Sequence, residues 1–287
     1  GTVEARATSK PQLAEMMVGR PVLLELEHPP VTPGAVRLAA EDLWVEGRGR
    51  PAVRGVSLEV RAGEIYGIAG VEGNGQTELV EALVGLRPIS RGRLRIDGRD
   101  VTRAGARAIR LMGVAHIPED RHRRGLALPL AVWENAILGH HYRDAFGRGP
   151  LLDRRAVEAF VQERVRAYDI RVADLDAPTL ALSGGNQQKV IVAREFSFAP
   201  KVLVAAQPTR GLDIGATEFV QRQLLAARAS GMAVLLVSAT LEEILALADR
   251  IGVMYGGELV AEFPRGAVGA AELGLAMTGA RAGAGPR

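Results

Sequence analysis

The sequence predicts an α/β fold built on a largely parallel sheet with helices on both faces, and three observations carry that expectation. Apolar runs at 64–69, 201–205 and 233–238 are short and almost uninterrupted, the mark of strands buried on both sides. Helical patterns alternate with these runs, as parallel crossovers require. A glycine-rich turn, Gly70-Val71-Glu72-Gly73-Asn74-Gly75-Gln76-Thr77, joins the first run to a helix, in the layout of a phosphate-binding loop of the G-x-x-x-x-G-K-[ST] type.

In chain order, residues 1–36 read as a linker, with a short helical patch around Leu13 to Val18 and the turn formers Pro29-Pro30 and Pro33-Gly34 closing it. From 36 to 60 the apolar residues come in short runs broken by Gly47, Gly49 and Pro51, which suggests antiparallel strands, and 94–98 adds another with its turn. The strand at 64–69 follows the second of these, and a helix from Gln76 to Leu86 is stopped by Pro88. Asp153 caps a helix whose Val157, Phe160, Val161, Val165 and Tyr168 form one stripe, expected to pack on the domain itself. A helix from Gly184, a strand at 201–205, a helix over 214–229, a strand at 233–238, a helix over 241–248 and paired strands at 251–255 and 258–262 complete the order.

Composition narrows the function classes. With 287 residues, 47% hydrophobic and 24% charged, the chain can bury one substantial core and a smaller second subdomain. No run approaches the roughly 18 apolar residues of a membrane span, and the N-terminus lacks a signal-peptide layout, so a soluble chain is expected. The absence of cysteine excludes disulfides and thiolate metal sites and agrees with a reducing compartment. His28, His116, His122, His140 and His141 lack metal-ligand spacing and are expected at the surface or in loops. Net charge is +3, and only Lys10, Lys189 and Lys201 are lysines among 36 basic residues. That arginine excess, with heavy Ala and Gly usage, reflects a GC-rich genome. The densest cluster, Arg121, Arg123 and Arg124 around His122, has no interleaved aromatics, so nucleic acid is not an expected partner.

The glycine loop has a physical reason to attract phosphate: glycines at 70, 73 and 75 let backbone N–H groups converge, and the following helix points its positive end at them. Thr77 stands where such loops place an inner ligand of Mg²⁺. Gln76, however, replaces the lysine, and the strand at 201–205 runs into Ala206-Gln207 where such enzymes carry two acids. Downstream, Leu182-Ser183-Gly184-Gly185-Asn186-Gln187-Gln188 opens a helix with Ser183 at its N-cap.

Taken in order, these strings resemble an ATP-binding cassette (ABC) domain, a P-loop fold with an antiparallel β subdomain and a helical subdomain. They are closest in kind to the second cassette of the tandem ATPase subunit of bacterial importers for simple sugars and nucleosides. The resemblance rests on 67–76, on Ile117-Pro118-Glu119-Asp120-Arg121-His122 with Arg124-Gly125-Leu126, on 182–189, and on Ala205-Ala206-Gln207-Pro208-Thr209-Arg210-Gly211-Leu212-Asp213. The last string leans towards the nucleoside branch. Leu13 to Arg20 resembles the segment that closes a first cassette, and 273–279 resembles its weak repeat. The resemblance implies a linker at 1–36 after a missing first cassette, a nucleotide-binding domain at 37–264 with a helical subdomain at about 118–182, and a tail at 265–287.

It also implies a division of labour. Ser183, Gly184, Gly185, Asn186 and Gln187 would contact ATP held by a partner cassette, and Asp213 would lie in the loop between the two sites. The chain's own loop (Gly70, Gly73, Asn74, Gly75, Gln76, Thr77) would be degenerate, with Ala206, Gln207 and Ala239 replacing the family's aspartate, glutamate and histidine, and Glu119 standing at its glutamine. No aromatic lies near Gly47 or Arg48 to stack adenine; Trp44 is expected in the core. The implied cofactors are ATP and Mg²⁺, weak or absent at its own loop. The implied partners are the first cassette of the same subunit, membrane permease subunits and, indirectly, an extracytoplasmic substrate-binding protein, at the cytoplasmic face of the inner membrane. Two other readings stay open: a self-sufficient P-loop ATPase, and a non-transport cassette, which would need a heptad-patterned insertion or two intact sites.

Overall fold

The computed structural model describes residues 27–147 and 151–279; the patch at Leu13 to Val18 lies outside them. Strands β1 (Val36–Glu46), β2 (Pro51–Arg61), β4 (Arg91–Ile96) and β5 (Arg99–Asp100) form an antiparallel sheet in the order β2-β1-β4-β5. A second sheet of six strands is ordered β10-β9-β3-β8-β7-β6, from β3 (Ile65–Ala69), β6 (Val114–Ile117), β7 (Val202–Ala206), β8 (Ala233–Ser238), β9 (Arg250–Tyr255) and β10 (Glu258–Pro264). The first five pair in parallel, and β10 returns antiparallel along β9. Every residue of β3, β7 and β8 is buried, which is why their sequences are apolar runs without alternation.

One core layer lies between the two sheets, where Leu38, Leu43, Val60 and Leu94 meet Tyr66, Ile68, Val204 and Leu235 around helix α1 (Gln76–Leu83). The other face of the parallel sheet is covered by α5 (Gly184–Phe196), α6 (Ile214–Ala229), α7 (Leu241–Leu247) and α8 (Ala270–Met277). Residues in the expected tail thus contribute Leu273, Ala276 and Met277 to this core. Helix α2 (Ala106–Leu111) leads into β6. Helices α3 (Val132–Ile137) and α4 (Arg154–Ala167) form a small third cluster around Phe146, with Phe160 and Phe198 edge-on to it. Asp153 caps α4 by accepting from the N–H groups of Arg155 and Ala156, and Val157 and Val161 are buried against the domain, as the stripe predicts.

Several expectations need correction. Helix α1 stops at Leu83, before Gly85, whose φ of 74° is a left-handed turn, so it is not Pro88 that ends it. Trp44 is half-buried on the antiparallel sheet, with its indole N–H donating to Asp42 and Arg91 over its ring; it is not core. Leu126 is buried in the core with Leu128 packed beside it, because the chain turns back onto α5 after β6, and Trp133 packs on the cluster around Phe146. Among the described residues, the exposed large apolar side chains of the helical subdomain are Leu130, Leu138, Leu151, Leu152 and Leu180.

Candidate functional site

The carboxyl ends of β3, β7 and β8 lie side by side, with Ala69 paired to Ser238 and Ala206 to Val237. This register gathers the glycine loop, Gln207 and Ala239 at one sheet edge, where parallel α/β folds place ligands. A cavity of about 320 Å³ opens there, walled by Gln76, Thr77, Glu119, Ala206, Gln207 and Arg210.

Within the loop, Gly73 (φ 88°) and Gly75 (φ 99°) are left-handed, and a Cβ on Gly75 would collide with the Ala52 carbonyl, so glycine is required there. Asn74 pins the loop to the β9–β10 turn by accepting from Gly256 N–H (2.8 Å) and braces the loop internally by donating to Val71 O (2.9 Å). The Gln76 side chain then folds back into the turn. Its amide oxygen accepts from Asn74 N–H (3.1 Å), and its amide nitrogen donates to Val71 O (3.0 Å). The side chain sits directly against Gly70 and is 8% exposed. An N–H that would face a phosphate is therefore satisfied internally.

Around the mouth, Thr77 donates its hydroxyl to Glu119 (3.1 Å), and Arg210 bridges Glu119 (2.7 Å) and Glu72 (3.0 Å). A guanidinium thus lies between two carboxylates at the mouth of the loop and compensates their charge. Ala206 contributes no oxygen, and Gln207, with φ 45°, uses its amide oxygen to hold Ala239 N–H at 3.2 Å. This set does not fit Mg·ATP as such loops hold it: position 76 carries no cation, 206 no metal carboxylate and 207 no base, and the side chains of Gln76, Thr77, Glu119, Gln207 and Arg210 bond one another or the backbone. Among the described residues no group of three or more His, Asp or Glu side chains could hold a metal ion.

The second cluster is differently disposed. Ser183 caps α5, its hydroxyl oxygen accepting from Asn186 Nδ2 at 2.9 Å and, weakly, from Asn186 N. Asn186 in turn accepts from Arg171 N–H, so its amide braces the cap, and Gln187 is buried behind it. Gly184 and Gly185 form the first turn, and Gln188 donates to Pro208 O, tying α5 to the segment before Asp213. Asp213 caps α6 by accepting from Ala216 N–H (2.8 Å), and a Cβ on Gly185 would lie 3.5 Å from its carboxylate. The first turn of α5 thus presents free N–H groups and a positive helix end that fit an anion.

Sequence reasoning gave no role to Arg210 or to Arg121 singly; both sit in quoted strings, and only long-range contacts distinguish them. The histidines also depart from expectation. His140 is buried and stacked 4.2 Å from Phe198, and His116 turns a buried, unpartnered Nε2 inward. Burial pushes His116 down to about 4 and His140 down to about 3, and neighbouring Arg110 opposes their protonation further. Glu195 lies between them in the interior; burial works against its charge, but Arg194, Arg110 and the His116 N–H hold its carboxyl well below the usual range.

Comparison with known proteins fits this geometry. Residues 53–210, more than half of the chain, match the family model described as "ABC transporter". The chain is 43% identical over 279 residues to the guanosine import ATP-binding protein NupO of Bacillus subtilis, covering 97% of this chain and 55% of that protein. It is 46% identical over 282 residues to the glucose import ATP-binding protein TsgD13 of Haloferax volcanii, covering 97% and 51%. It therefore spans about half the length of the curated relatives it matches. Among solved structures, a nucleotide-free ATP-binding cassette from an ABC transporter superposes with a TM-score of 0.68 at 23% identity, over 80% of this chain and 92% of that one, a likeness of fold.

Proposed function

The chain belongs to the ABC transporter family, and from that premise we propose that it is the second cassette of a tandem importer ATPase, silent at its own loop and completing the ATP site of the first. The carrying observation is the contrast between the two clusters. The glycine loop holds its own glutamine amide and an arginine bridged between Glu72 and Glu119, whereas the N-terminal turn of α5 keeps the Gly184 and Gly185 amides unengaged. In this reading Ser183, Gly184 and Gly185 bind and orient the terminal phosphate of ATP held by the other cassette, and their fixed N–H dipoles oppose the charge that develops as it is cleaved. Mg²⁺, where bound with that ATP, would be held by the partner's residues.

The half-length match supports the tandem arrangement, since a relative with twice the chain has room for a second cassette. The guanosine and nucleoside importers among the relatives support a nucleoside as cargo, and the glucose importer at 46% identity keeps a sugar as the alternative. The exposed Leu130, Leu138, Leu151 and Leu152 of the helical subdomain offer the surface for a permease loop. A substrate-binding protein outside the membrane would act through that permease. Assembly with the permease would bring the chain to the cytoplasmic face of the membrane; no helix among the described residues could cross it. Residues 27–36 lead into the domain at 37–264, with His28 anchored on Leu247 O, consistent with a linker from a preceding cassette.

The test is direct. Purified chain titrated with Mg·ATP should bind weakly or not at all and hydrolyse nothing above background, and Ala206→Asp with Gln207→Glu should not rescue it while Gln76 and Ala239 remain. Turnover of about 1 s⁻¹ or more, an ordinary enzymatic rate, would favour the self-sufficient ATPase instead.

A further inference from the structure

We infer that Arg121 is an additional phosphate-facing donor of the half-site, a cation standing beside the α5 amides and directed at the nucleotide bound by the partner cassette. The inference rests on the half-site reading above and adds a residue to it.

A wide turn at Arg121–Gly125 follows β6, and Asp120 fixes it by accepting from the N–H groups of His122 and Arg123, both at 3.0 Å. His122 Nε2 meets the Gln187 side-chain oxygen at 2.9 Å, fastening the turn to α5. The Arg121 side chain is thereby laid across the open end of that helix. Its Nη1 donates to Arg210 O (2.8 Å); a Cβ on Gly184 would stand 3.1 Å from its Nη2, and one on Gly211 would stand 3.7 Å from Nη1. Two glycines, one from each family string, leave the slot that the guanidinium occupies.

The electrostatics of that slot are unbalanced. Arg124 pairs with Glu81 and Arg210 with Glu72 and Glu119, but among the described residues no carboxylate pairs with Arg121, and its Nε is buried without a partner. Asp120 is committed to the turn and Asp213 to the cap of α6. A helix N-terminus carries about half a positive charge, so a guanidinium placed there is destabilised unless an anion joins it. A terminal phosphate supplies that anion, with paired oxygens that the planar guanidinium fork matches. The same side chain also links the two clusters: Arg121 holds the carbonyl of Arg210, whose own guanidinium closes the silent loop.

The experiment compares Arg121→Ala, Arg121→Gln and Arg121→Lys in the full tandem subunit assembled with its permease, with Ser183→Ala and Gly184→Asp as references for the half-site. Steady-state ATPase and trapping of ADP with vanadate, a mimic of the transferring phosphate, are read alongside thermal stability. Glutamine can keep the bond to Arg210 O without the charge, and lysine keeps the charge without the fork. The expected result is a fall of about 10² or more in kcat for alanine and glutamine, loss of vanadate trapping in both, a smaller fall for lysine, and unchanged melting. Full activity and trapping in Arg121→Gln would overturn the inference, leaving Arg121 a brace for the loop. Were the Ser183 and Gly184 references also fully active, the half-site reading itself would fall. If Arg121→Ala fails to assemble, the glutamine–lysine contrast decides.

Discussion

Gly184→Asp separates contribution to a catalytic site from possession of one, and the structure sets both of its effects. The new Cβ would approach Arg121 Nη2 to 3.1 Å, so the flexible guanidinium must give by a few tenths of an ångström. Against that small strain, an acid in the first turn of a helix gains about 0.3–1 kcal/mol, and an exposed pair with Arg121 adds about 0.2–1 kcal/mol. The isolated chain should therefore melt within a few degrees of the parent, since about 1 kcal/mol moves Tm by roughly 2–4 °C in a domain of this size. Function responds oppositely. The carboxylate occupies the space a phosphate must enter, repels it, and neutralises the cation beside it. Loss of one preorganised donor costs about 2.7–4 kcal/mol, or 10²–10³ in kcat. ATPase of the assembled transporter, measured with vesicle-reconstituted permease and tandem subunit, should fall at least that far. Activity within tenfold of the parent, with folding and assembly intact, would refute the half-site reasoning.

Gln76→Ala empties the glycine loop of its own amide, yet should change transporter ATPase by less than about tenfold; abolition would make that loop the working one. Glu195→Ala should lower stability by about 3–5 kcal/mol in urea denaturation, because it strands the buried Arg194 without its charge partner; a loss below about 1 kcal/mol would contradict the ion cluster. His116 and His140 have folded pKa values of about 4 and 3, below the unfolded value near 6.5. As pH falls the unfolded chain binds protons first, so the stability these two neutral rings contribute is whole above about pH 6.5 and drains between there and about pH 4 for His116 and about pH 3 for His140. His140→Phe keeps a ring stacked on Phe198 without the proton site, and the drop in Tm from pH 7 to pH 5 should shrink; an unchanged drop would place the acid sensitivity elsewhere.

The layer architecture and most element positions were legible in the sequence because they depend on neighbours along the chain. Buried parallel strands must be apolar throughout, and 64–69 and 233–238 fall within a residue of β3 and β8. Caps are equally local: Asp153, Ser183 and Asp213 each bond an N–H two or three residues away. The absence of charge at Gln76, Ala206 and Gln207 is likewise a property of single positions. What only the tertiary structure decided is what those positions do once the chain closes. That Leu126 is core and Trp44 is not depends on where the segment after β6 and the antiparallel sheet come to rest. Arg210 reaches Glu119 across 91 residues of chain, and Glu195 receives Arg110 across 85. No pattern of period 2 or 3.6 encodes such pairings, because an ion pair needs only two complementary groups and a fold that brings them within about 4 Å. Arg121 illustrates the limit: among the arginines of its cluster it is indistinct in sequence, and it is set apart only by two distant glycines and a helix end that leave its charge unanswered.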